Sequence, residues 1–368
     1  MARLRGPTRS RNSITIAAIY TVVVGLAIPV AAGAQQWHGT DSAEAYGLYV
    51  RARAALPDRA ALHRLLDEAI AIDADYALAY ALKAEQYALA IAGTVARGND
   101  AAAVAALDRL AVHNAEKAIA LDPSLDNAYS ALALAHRQFW RWPQAEAAYR
   151  RAYELKPNDA GIMLNYGWFN SFTGRHDEAV AIAQRGIALH PTLANPYRDL
   201  GVAEAYAGNA QGASKAMRDC IAMDPKITIC HIYLAFALIR LGQPEPAGAE
   251  LALAEQLFGD APTPATVSSV AHGYFRAGRR EDAARLFKKL EEQAANGIVG
   301  AGSWPLGYLA IGDEEQAFTW LERAVSKIEN HEPDEGFFNL MIIKANVAAN
   351  PVLEQPRFRA LRARIGTL

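Results

Sequence analysis

The sequence lacks the short motifs that mark common catalytic and nucleotide-binding sites. It has no Gly-rich loop ending in Gly-Lys-Ser or Gly-Lys-Thr, no His-Glu-x-x-His and no Gly-x-Ser-x-Gly. Its nine histidines are scattered, and no two lie four residues apart, so a metal site on one helix is not expected. We therefore predict a non-enzymatic protein with no catalytic residue, no cofactor and no metal ion.

The chain also lacks an excess of basic residues. Its formal net charge is −2, and residues 1–34 carry four arginines and no acid. The remainder therefore carries a formal charge of −6 once those four charges are removed. Binding to nucleic acid requires a basic face, so we predict no nucleic-acid partner.

Cysteine is scarce, with only Cys220 and Cys230 in the chain. We place Cys220 late in one helix and Cys230 early in the next, and antiparallel packing of these helices could bring the two together. In an oxidising compartment the pair would form a disulfide. Alternatively, the two are buried small hydrophobic residues, and the sequence leaves both alternatives open.

Charge is absent from residues 14–30, which follow the arginines and precede Ala32-Gly33-Ala34. A basic region, an apolar stretch and a small-residue site form a secretory signal peptide, here with cleavage after Ala34. The alternative is an uncleaved inner-membrane anchor, because the charge-free stretch could supply the roughly 20 apolar residues that a span requires. Either interpretation of residues 1–34 places the rest of the chain outside the cytoplasm, periplasmic or anchored facing the periplasm.

What the sequence does have is a fixed period. Four prolines, Pro123, Pro157, Pro191 and Pro225, follow one another at intervals of 34 residues. Alanine is abundant and has the best helix propensity. A period of this length in a helix-forming chain predicts stacked helix hairpins, and hence an all-α, right-handed superhelical solenoid.

The period extends outward from the prolines to an array of about eight repeats over residues 41–331. The predicted repeats are 43–76, 77–125, 126–159, 160–193, 194–227, 228–263, 264–297 and 298–331. The second holds 15 extra residues, with a loop expected at 93–100. The eighth is degenerate, and Gly300-Ala301-Gly302-Ser303 is interpreted as the linker before it. We expect residues 332–368 to form a C-terminal capping segment, as the exposed end of a solenoid requires.

The pattern resembles the tetratricopeptide repeat (TPR) over about 43–331. In the fourth repeat the residues that match the family pattern are Met163, Tyr166, Gly167, Gly174, Ala179, Ala183, Gly186 and Pro191. A narrower resemblance, carried by 126–146 and 350–358, is to the periplasmic repeat regions of bacterial membrane regulators with a cytoplasmic adenylate-cyclase or winged-helix domain. Only about 12 residues precede the hydrophobic stretch, so neither cytoplasmic domain, nor its activity, is expected here.

The resemblance implies that ligands lie along the concave surface lined by the first helix of each repeat. Positions there that repeat packing does not require are Leu164, Trp168, Phe172, Arg198, Val202, Tyr206, Ile232, Phe236, Arg240, His272, Phe275 and Arg276. Aromatic residues with interspersed arginines are typical of binding hot spots. We predict a groove for a peptide or a partner's helix, although several of these residues could instead be ordinary core.

These observations predict a protein-interaction scaffold or sensor module outside the cytoplasm, with a protein or peptide partner. The alternative is an accessory subunit of a signalling system or envelope enzyme complex whose catalytic domain is on another chain. The cluster Phe139-Trp140-Arg141-Trp142 is either part of a binding surface or a core plug at a hairpin turn.

Overall fold

A computed structural model describes residues 39–56, 58–95, 101–259, 262–297 and 299–366. In these ranges the chain is an all-α solenoid of the tetratricopeptide type. The predicted signal peptide or membrane anchor at 1–34 lies outside the described residues. Within them, no helix combines the length and the apolar character that crossing a membrane requires.

Along the described ranges the helices pair into eight antiparallel hairpins, each with an A helix and a B helix. The A helices are α1 (Ala43–Ala54), α3 (Ala77–Val95), α5 (Asp126–Gln138), α7 (Ala160–Thr173), α9 (Ala194–Tyr206), α11 (Thr228–Arg240), α13 (Pro264–Arg276) and α15 (Trp304–Ile311). The B helices are α2 (Arg59–Ile72), α4 (Ala101–Leu121), α6 (Trp142–Leu155), α8 (His176–Leu189), α10 (Ala210–Met223), α12 (Pro244–Gln256), α14 (Arg280–Ala295) and α16 (Glu314–Glu329). The chain then forms α17 (Phe337–Ala345), a 3-10 helix (Pro351–Glu354) and α18 (Pro356–Gly366).

The fourth hairpin shows why the sequence folds in this way. The Asp159 side chain accepts hydrogen bonds from the backbone N–H groups of Gly161 and Ile162, which caps the start of α7. Gly174 ends that helix with a φ of 86°, a left-handed conformation that glycine adopts without steric penalty.

The insertion in the second hairpin lengthens its helices, because α3 has 19 residues and α4 has 21. The predicted loop accordingly begins later than 93, since α3 continues to Val95.

One hydrophobic core connects most of the array to the C-terminal residues. It extends from Ala133 in α5 to Ile365 in α18, while the first hairpins contribute smaller separate clusters. From α7 to α15, each A helix packs on the next A helix. The C-terminal residues are therefore part of the same folded body as the later hairpins.

The two segments that follow α16 pack in different places. Helix α18 packs on α16, where the rings of Phe318 and Phe358 lie 5.5 Å apart and Arg364 forms an ion pair of 2.7 Å with Glu329. This is the position that a terminal cap would occupy. Residues 332–350, which we call the tail segment, instead run back along the A helices as far as the end of α5. The surface that they contact, formed by the A helices and by Trp140 in the turn after α5, is called the helix-A face below.

Candidate functional site

The acidic start of the tail segment is held by the glycine-rich linker of the eighth repeat. The carboxylate of Asp334 accepts hydrogen bonds from the backbone N–H groups of Ala301, at 3.0 Å, and Gly302, at 2.8 Å. Its side chain is buried, and the ammonium group of Lys327 lies 3.6 Å from it. Successive backbone N–H groups that converge in this way form an anion-binding nest. The linker is thus a carboxylate cradle.

Glu335 binds beside Asp334 in the same cradle. Its carboxyl group accepts hydrogen bonds from the Ser303 hydroxyl at 2.6 Å and from the backbone N–H groups of Ala265, at 2.9 Å, and Gly300, at 3.3 Å. Burial, and to a lesser extent the neighbouring Asp334 carboxylate, raise the pKa of Glu335 to about 7 despite these hydrogen bonds. Below pH 7 the protonated form of Glu335 therefore predominates in the folded chain.

This raised pKa gives a testable pH dependence. Because the folded state binds the Glu335 proton more tightly than the unfolded chain does, its stabilising contribution is complete below pH 4.5 and is lost as pH rises toward 7. Glu335→Gln, which resembles the protonated form, should remove this loss. We expect the wild type to lose about 3 kcal/mol relative to the variant between pH 4.5 and 8, measured by hydrogen exchange of α17 corrected for the intrinsic exchange rate at each pH. Equal pH profiles for the two proteins would contradict the assignment.

The aromatic centre of the tail segment fits among rings of the helix-A face. Phe337 is buried, and its ring centroid lies 4.9 Å from that of Trp140 and 5.6 Å from that of Phe172. Phe338 packs edge-to-face on Trp168 at 5.8 Å. Such edge-to-face contacts stabilise aromatic pairs beyond their buried area. The two adjacent phenylalanines therefore anchor the tail segment on the third and fourth hairpins.

Trp140 contacts the tail segment and has an unfavourable backbone conformation. Its φ is 58°, and it stands 34 residues before Gly174, the position at which the next hairpin has a left-handed glycine. A left-handed conformation costs a non-glycine residue roughly 1–2 kcal/mol. The contacts of the indole offset this cost. The indole is completely buried, contacts Phe337 and donates a hydrogen bond from Nε1 to the backbone oxygen of Glu332 at 2.8 Å. The tryptophan cluster is thus both core and anchor for the tail segment.

Replacing Trp140 with glycine separates these two contributions. Trp140→Gly relieves the backbone strain but removes the buried indole, whose loss costs about 3–5 kcal/mol. We expect a net loss of about 2–3 kcal/mol in the stability of the docked tail segment, measured by hydrogen exchange of α17. Gly174→Ala is the matched control, because its added Cβ meets no atom within 4 Å and so reports only the backbone penalty. Unchanged exchange in Trp140→Gly would show that the indole does not anchor the tail segment.

Two arginines of the helix-A face bind the main chain at the far end of the tail segment. Arg240 donates a hydrogen bond to the backbone oxygen of Asn346, and Arg276 donates one to that of Ala349, each at 3.0 Å. Together with Trp140, three side chains of the face thus bind backbone carbonyl groups of the tail segment. Contacts to the main chain fix the path of a peptide without reading its side chains.

Polar contacts lie inside the interface at two places, Asn339 and Asn350. The buried amide of Asn339 accepts a hydrogen bond from the Ser269 hydroxyl and donates one to the Ser268 oxygen, both at 2.6 Å. The amide nitrogen of Asn350 lies 2.8 Å from Nε2 of His272. Burial lowers the pKa of His272 to about 3, so the imidazole is neutral and Nε2 accepts this hydrogen bond. These polar contacts give the docked segment one defined register.

The predicted groove residues divide into two groups in this structure. Trp168, Phe172, Arg240, His272 and Arg276 contact the tail segment directly. The remaining predicted residues pack within the hairpins or pair with their own neighbours. Val202, Tyr206, Ile232 and Phe236 are buried core, Leu164 and Phe275 are half-buried, and Arg198 pairs with Asp199.

Cys220 and Cys230 are joined by a disulfide between α10 and α11, and both residues are completely buried. The described residues contain no group of three or more histidine, cysteine or acidic side chains placed to hold a metal ion.

Sequence reasoning missed the partners that the tail segment supplies, Asp334, Glu335, Phe337, Phe338 and Asn339. The available signal was the apolar run from Phe337 to Ile343, which no hairpin of the array accounts for.

No protein-family model matches this chain, and no curated protein sequence matches it. Among solved structures, a tetratricopeptide repeat protein from Parabacteroides merdae is 14% identical, with 73% of this chain and 100% of that one covered and a TM-score of 0.45. The type IV pilus biogenesis factor PilW is 21% identical, with 52% and 88% covered and a TM-score of 0.45. PilF of Pseudomonas aeruginosa is 20% identical, with 59% and 94% covered and a TM-score of 0.43. At these identities and TM-scores the likeness says nothing about what this chain binds.

Proposed function

We propose that this chain is a non-enzymatic protein-interaction scaffold or sensor that acts outside the cytoplasm and takes up a peptide segment of a partner on its helix-A face. The observation that carries the proposal is the docked tail segment. Trp140, Arg240 and Arg276 bind its main-chain oxygens, while Trp168 and Phe172 pack on its phenylalanine rings. A face that holds one peptide segment in this way has the chemistry to hold another.

Two features support a location outside the cytoplasm. Arginines precede the charge-free stretch at 14–30, as in a signal peptide or an inner-membrane anchor. The disulfide between Cys220 and Cys230 is a kind of bond that persists in oxidising compartments. This setting also agrees with the narrower resemblance to periplasmic repeat regions of membrane regulators.

The accessory-subunit alternative has the same binding role with a catalytic partner. The absence of a basic excess favours a protein partner over nucleic acid.

Because the tail segment occupies the helix-A face, the test must loosen it first. Full-length chain carrying Phe337→Ala and Phe338→Ala serves as bait against an envelope fraction, with captured proteins identified by mass spectrometry. We expect this bait to enrich a protein that the wild type captures only weakly. Adding Trp168→Ala and Arg240→Ala should abolish the capture, whereas adding Lys226→Ala, at an exposed site, should not. Identical captures by all baits would reject the helix-A face as the binding surface.

The mature N-terminus tests the compartment. If residues 1–34 are a signal peptide, the intact mass of the protein from an envelope fraction should begin immediately after Ala34. A mass that begins at Met1, together with recovery in the membrane pellet, supports the anchor instead. A mass that begins at Met1 with recovery in the soluble cytoplasmic fraction would contradict both interpretations.

A further inference from the structure

We infer that the partner's peptide carries the pattern that the tail segment presents at 334–338, namely two adjacent acidic residues, a glycine and two adjacent aromatic residues. This inference rests on the proposed function and adds the specificity of the same face. The partner's segment would replace the tail segment, so the tail segment is the chain's own copy of its ligand. Three independent features of the interface select the three parts of the pattern.

The acidic pair is selected by the cradle. Its donors to the carboxylates are the backbone N–H groups of residues 265 and 300–302 and the Ser303 hydroxyl, with Lys327 alongside. An amide side chain in place of the Asp334 carboxylate would place an N–H group against the donors at Ala301 and Gly302 and leave one of them unpaired, which is costly in a buried site. The cradle also requires its own glycines, because a Cβ on Gly302 would lie 2.8 Å from Oδ1 of Asp334.

The glycine is selected by close contact with the backbone. A Cβ built on Gly336 would lie 2.2 Å from the carbonyl carbon of Gly302 and 2.3 Å from the backbone nitrogen of Ser303. Gly336 has a φ of −79°, which any residue can adopt, so the demand for glycine is purely steric. A ligand with any side chain at this position cannot keep both the carboxylates and the rings in place.

The aromatic pair is selected by the rings of the third and fourth hairpins. Phe337 inserts between Trp140, Trp142 and Phe172, and the Arg137 guanidinium lies 5.5 Å from the centre of its ring. Phe338 contacts Trp168 and Phe172 edge-to-face. Aliphatic side chains would lack the ring edge that these contacts use.

Covalent attachment gives the tail segment an advantage over a free peptide. A linked segment experiences an effective local concentration in the millimolar range, so an intact tail segment excludes a dilute free peptide. Weakening the tail segment without changing the helix-A face should therefore open the site to a peptide of the same sequence.

The test uses the full chain and a fluorescein-labelled peptide with the sequence of residues 332–350. Fluorescence anisotropy should show that the chain with Phe337→Ala and Phe338→Ala binds this peptide about 10²-fold more tightly than the wild type does. The same peptide with Gly336→Ala should bind that variant about 10²-fold more weakly, as should the peptide with Asp334→Asn. Equal binding of the native and Gly336→Ala peptides would overturn the inference.

A second variant protects the test against misfolding of the first. Asp334→Asn in the full chain is isosteric and leaves the apolar core intact, so it should also bind the native peptide more tightly than the wild type. If both variants melt cooperatively and neither binds the peptide, the inference is wrong. If a variant nevertheless captures an envelope protein through Trp168 and Arg240, only the specificity fails and the proposed function stands.

Light scattering distinguishes a partner's peptide from a second copy of this chain. The wild type should be monomeric with or without the peptide. A wild-type dimer that the peptide converts to monomers would mean that tail segments are exchanged between copies, and that outcome also overturns the inference.

Discussion

Phe337→Ala should release the tail segment from the helix-A face while the hairpins remain folded. The side chain is buried among Trp140, Trp142 and Phe172, and its removal leaves a cavity that rigid rings on several sides cannot fill. Truncation of a buried phenylalanine costs about 3–5 kcal/mol. Hydrogen exchange of the amides in α17 should accelerate by about 10²- to 10³-fold, since each factor of ten corresponds to about 1.4 kcal/mol.

The measurement must be local, because repeat arrays need not unfold as one unit. In a solenoid each hairpin is stabilised mainly by its neighbours, so a global melting curve would dilute a change confined to the tail segment. The control is Phe258→Ala, since Phe258 is half-buried and its ring faces Lys289 rather than the tail segment. Its substitution should leave exchange in α17 unchanged. Equal acceleration in both variants would mean that Phe337 has no special role in docking.

The hairpins were predictable because the residues that end their helices recur at the same positions in neighbouring repeats. Pro157 and Pro191 follow the ends of α6 and α8, where the period placed the ends of B helices. The left-handed glycines at 174 and 208 recur at the same interval. Periodicity of this kind expresses local chemistry, such as capping and helix termination, which a single sequence reveals directly.

The path of the tail segment was not predictable by the same reasoning. Residues 332–350 lie outside the period, so no neighbouring repeat indicates where they pack. The hydrogen bond from Trp140 to the backbone oxygen of Glu332 joins residues 192 positions apart. A contact at that separation depends on how six hairpins stack, and no local propensity encodes it. The glycine-rich linker likewise gains its role as a cradle only when Asp334 and Glu335 reach it.

The composition of the helix-A face predicted a binding surface, and its use by a partner stays a prediction. Aromatic and arginine side chains at Trp168, Phe172, Arg240 and Arg276 indicated a surface suited to binding, and these residues contact the tail segment. What the composition could not show is that the chain supplies an occupant itself. Nor could it separate these residues from Val202 or Phe236, which have the same helical spacing but pack within the hairpins.

Gly336→Ala should strongly destabilise the docked tail segment, although it adds only one methyl group. The new Cβ would approach the carbonyl carbon of Gly302 to 2.2 Å, which real structures do not permit. The neighbouring atoms are backbone and cannot move aside as a flexible side chain would. Either the cradle shifts and loses its hydrogen bonds to Asp334, or the tail segment detaches. We expect the docked state to lose about 3 kcal/mol, as for a severe case of overpacking.

A second glycine provides a control with the opposite sign. Gly47 lies inside α1, and a Cβ there would meet no atom within 4 Å, so Gly47→Ala should stabilise its helix by about 0.5–1 kcal/mol. Hydrogen exchange should therefore be faster in α17 for Gly336→Ala and slower in α1 for Gly47→Ala. Because both substitutions add the same methyl group, the difference in sign isolates the steric contact with the cradle. If Gly336→Ala left exchange in α17 unchanged, a side chain would be tolerated between the acidic and the aromatic pair, and glycine would have to be removed from the proposed ligand pattern.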